Sequence, residues 1–157
     1  MLHYIFMIGL AFTPEQFKTL LRMIYIANTV ANGHRDEEIL KEYDDLEQYI
    51  FSRAESAGLP AATWRHEVEG EAHHHPSRLF EDDEEIDRLM AEYEMHAVIE
   101  TLSEKLGERD VEKTHGPRAK DRLSSKDYEA LVMEREEEYL RLFLAQGLKG
   151  VKVENID

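Results

Sequence analysis

Residues 13–33, TPEQFKTLLRMIYIANTVANG, decide the fold class, because a start signal, an apolar stripe and a stop signal occur together in them. Thr13 with Gln16 three positions on makes a capping box, and Pro14 suits the first helical turn, where its missing N–H costs no hydrogen bond. Phe17, Leu20, Leu21, Ile24, Asn28 and Ala31 recur at three- and four-residue spacings and share one face, and Asn32-Gly33 supplies a left-handed stop. Asn28 is the polar member of that face. A buried amide without partners costs about 1–3 kcal/mol, so Asn28 is expected to hydrogen-bond across a helix pair, to Tyr43, Tyr49 or backbone. The sharper alternative is a small polar pocket lined by Asn28, Asn32, His34 and Arg35.

Moving outward, His34 to Glu38 is a short acid-rich connection into a second helix. Ile39, Tyr43, Leu46, Ile50, Arg53 or Ala54, and Ala57 recur at helical spacing, and Gly58 with Pro60 ends the run, so the two helices are expected as an antiparallel pair. Glu38, Glu42 and Asp45 lie away from that stripe and read as a solvated face. From Leu59 to Phe80 the periodicity fails at Pro60, Gly70 and Pro76, which predicts a long loop at about 59–80, with Trp64 anchoring one end in the core. His66, His73, His74 and His75 sit in that loop and supply ligands that a transition metal such as Zn²⁺, Ni²⁺ or Co²⁺ accepts. A histidine run on an exposed loop also binds metal weakly without function.

Beyond the loop, Asp82 is the expected cap of a helix through Ile86, Leu89, Met90 and Tyr93. It continues as one helix, or restarts as a second, through Val98, Ile99, Leu102 and Leu106. His115-Gly116-Pro117 is a stop, and residues 118–122, RAKDR, are the one markedly basic segment. Ser124 or Ser125 caps a final helix whose face carries Tyr128, Leu131, Val132, Tyr139 and Leu142 or Phe143, closed by Gly147. The apolar start MLHYIFMIGL and the alternating tail 148–156 read as short strands able to pair. The expected architecture is therefore mainly α: one domain over 1–157, an irregular antiparallel bundle of four or five helices, with a small β-pair from the two termini.

The absence of cysteine removes disulfides, thiolate nucleophiles and Cys-based zinc sites. A net charge of −15 argues against nucleic acid and anionic membranes as ligands, since both require clustered Lys and Arg. The ten N-terminal residues lack a basic flank and are too short to span a bilayer, so a cytoplasmic location is expected. The leading functional expectation is a non-enzymatic, acidic protein-interaction module that binds a protein partner or itself as a homodimer. An alternative is a divalent-metal-dependent hydrolase of phosphate compounds using the helix-two carboxylates Glu38, Glu42 and Asp45, because Mg²⁺ favours oxygen ligands. A further alternative is an inhibitor that mimics nucleic acid through its charge.

Overall fold

A computed structural model describes residues 8–152 of the chain. It is mainly α-helical with one antiparallel strand pair: α1 (Pro14–Asn32), α2 (Lys41–Phe51), β1 (Thr63–Val68), β2 (Glu71–Pro76), α3 (Arg78–Glu81), α4 (Glu84–His115), α5 (Ala119–Arg122) and α6 (Ser125–Gln146). By contacts the chain divides into two compact units, Met1–Met90 and Ala91–Asp157. The β-pair expected from the termini falls largely on residues 1–7 and 153–157, outside the described residues; Gly147–Gly150 forms a short 3₁₀ turn.

In the first unit α1 starts as its sequence dictates. The Thr13 hydroxyl accepts the Gln16 N–H at 3.2 Å, and Gln16 Oε1 accepts the Thr13 N–H at 2.9 Å. Phe17 and Leu21 of α1 meet Phe51, Ala54, Phe80 and Ile86 in one apolar cluster. The Phe80 ring stands edge-on to Phe51 at 5.2 Å and to Tyr25 at 6.0 Å. Burial of each of the Phe, Leu and Ile side chains in this cluster stabilises the fold by about 1.5–3 kcal/mol. Arg22 locks the return of the chain by a forked pair with Asp83 (2.8 Å and 3.2 Å) and a contact with Glu85. That pairing, chiefly the hydrogen bond from Arg22, holds the Asp83 carboxyl below its ordinary value. Asp83, not Asp82, also caps α4, accepting the Glu85 N–H at 3.0 Å.

Three expectations change here. Gly33 is right-handed (φ −62°), and α1 is stopped instead by Asn32, whose amide clips the Leu40 peptide: Oδ1 accepts Leu40 N–H at 2.8 Å and Nδ2 donates to Leu40 O at 3.2 Å. Helix α2 ends at Phe51 rather than near Ala57, because residues 52–58 close into tight turns that finish at Gly58 (φ +80°). The long loop at about 59–80 is mostly a hairpin. Its register is Trp64↔His75, His66↔His73 and Val68↔Glu71, turned by Glu69 and Gly70, both at positive φ as a two-residue type I′ turn requires.

In the second unit, residues of α4 run beside α6, with α5 between them in sequence. A Cβ at Gly107 would lie 3.0 Å from Val132 O and 3.2 Å from Glu136 N, so glycine there lets the two backbones approach. Val111, Ala119, Tyr128 and Val132 form the apolar cluster. At its edge Tyr139 donates to Asp110 Oδ2 at 2.5 Å and Arg109 donates to Tyr139 Oη at 3.0 Å. Arg122, from the basic segment, donates to the carbonyls of His115 (2.5 Å) and Pro117 (3.1 Å) and so satisfies the end of α4. Ser124 caps α6, its hydroxyl accepting the Asp127 N–H at 3.1 Å.

Candidate functional site

Helix α2 touches Asn28 of α1 and His73 of the hairpin, and its three sides do different work. The inward side carries Glu47, only 5% exposed, beside Phe51. Burial raises the Glu47 carboxyl to about 7. The Asn28 amide works the other way, by favouring the carboxylate, and the charges of Asp44 and Glu81 add to the rise. Asn28 is thus partnered by Glu47 and by Asn32, whose Nδ2 donates to Asn28 Oδ1 at 2.8 Å, rather than by Tyr43 or Tyr49. A chain of amides runs from the Leu40 peptide through Asn32 and Asn28 to the carboxyl.

The structure brings together Asn28 and Asn32 of the expected polar pocket but not His34 or Arg35. His34 is exposed, and Arg35 folds back to donate to Ala31 O at 2.9 Å. Those interactions cap α1 and tie it to α2. A cavity of about 280 Å³ lies elsewhere in this unit, walled by Leu59, Leu79 and Phe80 and by the Lys18–Asp83 ion pair.

The outward side carries Tyr43 (44% exposed), Leu46 (49%) and Tyr49 (56%), and Ile39 (56%) is exposed just before the helix begins. This overturns the expectation that Ile39, Tyr43 and Leu46 face the core. Both faces of α2 have apolar residues at helical spacing, and the core takes the Glu47, Ile50, Phe51 side, which a hydropathy stripe misses because it contains an acid. Of the helix-two carboxylates, Glu38 precedes α2 at φ +58°, Glu42 is exposed, and Asp45 is paired with Lys41.

The third side meets the hairpin through Gln48, whose Nε2 donates to Asp44 Oδ2 at 2.9 Å and whose Oε1 lies 3.1 Å from His73 Nδ1. Alternation along the strands puts Trp64, His66, His73 and His75 on one face and His74 on the other. The rings stack: His66 lies 5.4 Å from His73 and 5.1 Å from His75, and His73 lies 6.4 Å from His75. Burial, reinforced by charge on His66, holds His75 below the usual histidine value, with Asp44 opposing. Trp64 stacks on His66 at 4.6 Å and is 55% exposed, so it does not anchor in the core as expected. In these rotamers no group of three or more His, Asp or Glu among the described residues is arranged around an ion position.

No family model matches this chain, and no curated protein or solved structure matches it significantly. Among the described residues no helix is long and apolar enough to cross a membrane.

Proposed function

We propose that the protein is a non-enzymatic interaction module that docks a basic amphipathic segment of a partner protein on the outward side of α2. The carrying observation is the row Tyr43, Leu46 and Tyr49 at helical spacing on α2, each close to half exposed or more, with Ile39 exposed in the segment that leads into the helix. Contiguous apolar patches mark interaction sites when they are large, and aromatic anchors dominate the energetics of interfaces. The partner's chemistry follows from charge. Glu42 and Asp45 lie on the same helix and the chain carries −15, so a partner with Lys and Arg around apolar anchors is complementary, whereas a second copy brings like charge.

The test uses a fluorescent Lys/Leu helical peptide against the full chain and the variant Tyr43→Asp/Leu46→Asp. Added acid strengthens pure charge attraction while removing the anchors. Loss of binding by about 10-fold or more supports docking on this face. Unchanged or tighter binding overturns it in favour of charge alone, the behaviour of a nucleic-acid mimic. Sedimentation of the chain by itself reports a homodimer, and a dimer dissolved by the same variant would replace the basic partner with a second copy. No observation at Glu38, Glu42 or Asp45 favours the hydrolase reading.

A further inference from the structure

We propose that His66, His73 and His75 form a three-imidazole site for Zn²⁺ or a neighbouring late first-row divalent ion, with Gln48 as the positioning residue. Consecutive histidines in a loop do not converge, but in a strand His73 and His75 are two apart and share a face, and the register sets His66 directly across from His73. Imidazole nitrogens bind Zn²⁺ at about 2.0–2.1 Å in tetrahedral array, which puts ring centroids about 5 Å apart. The separations of His66 from His75 and His73, 5.1 and 5.4 Å, match that spacing, whereas His73 and His75 stand wider, at 6.4 Å. The tilt does not match: the rings lie within 10–25° of parallel, so their lone pairs do not yet meet. Binding therefore requires the rings to turn about their terminal torsions, which are broad and soft, and His73 and His75 to draw closer together.

Two independent observations favour that rearrangement. Among the described residues His66 Nδ1 is enclosed without a hydrogen-bond partner, as is His74 Nδ1 on the opposite face of the hairpin, so the His66 ring turns without breaking a hydrogen bond and gains a ligand bond in exchange. His73 is held through Nδ1 by Gln48 Oε1, and Gln48 is held by Asp44. With Nδ1–H donating to Gln48, the His73 Nε2 lone pair is left free for a metal, the way ligating histidines are usually oriented. Three protein ligands leave the fourth tetrahedral position to water, beside the exposed Trp64 ring.

The probe is Zn²⁺ alone, titrated calorimetrically into the full chain, with Co²⁺ as its spectroscopic substitute. One equivalent is expected, with the intense visible bands of tetrahedral Co²⁺. His66→Ala, His73→Ala and His75→Ala are each expected to lose binding, His74→Ala to keep it, and Gln48→Ala to weaken it by about 10-fold. Proton NMR of the unaltered protein is independent of any folding defect: the imidazole signals of His66, His73 and His75 should shift at one equivalent while that of His74 stays. The proposal is overturned if His74→Ala weakens binding as much as His73→Ala, if the His74 signal shifts with the others, or if several weak equivalents bind.

Discussion

Around α1 and α2 the space between helices is filled by rings, Phe51 and Phe80 packed edge-on, whereas between α4 and α6 it is narrowed until backbones meet at Gly107. The polar groups follow the spacing. The ring-filled side holds a carboxyl, Glu47, inside the fold and satisfies it with an amide chain. The narrow side keeps Asp110, Tyr139 and Arg109 at its margin. There, although burial pushes the Asp110 carboxyl up, the hydrogen bonds from Tyr139 and Arg109 outweigh it and hold the group below its ordinary value. A wide helix gap thus stores a raised carboxyl, while a tight one exports its charges to where counter-charges meet them.

The largest effect that can break this contrast is Phe51→Ala, which leaves a cavity at a fully buried ring and is expected to cost about 3–5 kcal/mol. Hydrogen exchange would place the loss in α1 and α2; equal loss throughout α6 would mean that the units do not differ in this way.

Next comes pH. A carboxyl near 7 in the fold and 4.5 as a free side chain favours folding fully below pH 4.5, and that contribution is lost as pH rises through 7. The swing is about 3 kcal/mol by linkage, and Glu47→Gln should remove it, leaving the variant the more stable at alkaline pH. Urea unfolding across that range checks the sign; a variant with the same slope as the parent would show that Glu47 is not the group.

Smaller again is Gly107→Val, which forces a side chain of α4 against α6 backbone and should cost about 1–3 kcal/mol, with exchange rising in α4 and α6. A neutral result would mean the helix gap is wider than the structure places it.

Local signals were the legible ones. Thr13, Gln16 and Pro14 start α1, Ser124 starts α6 and Gly116 follows the end of α4, because each acts through neighbours within four residues. Choices between equivalent faces were not legible: α2 has apolar spacing on two sides, and only packing against Phe17, Leu21 and Phe80 selects the one with Glu47. The hairpin was hidden because its inward face is built from histidines, which read as polar loop. Its signal was present in Glu69-Gly70 between two alternating runs. At the candidate sites the sequence pointed to Asn28 and to the histidines, but Glu47, Gln48 and the separation of His74 depend on helix rotation and strand register.

The raised Glu47 carboxyl also makes folding a proton-consuming reaction. At about pH 6 the unfolded chain has released that proton and the folded chain takes one up from the buffer. The apparent heat of unfolding in this range therefore includes the ionisation heat of whatever buffer receives the proton, and scans in phosphate and in an amine buffer should diverge until Glu47 is replaced by glutamine.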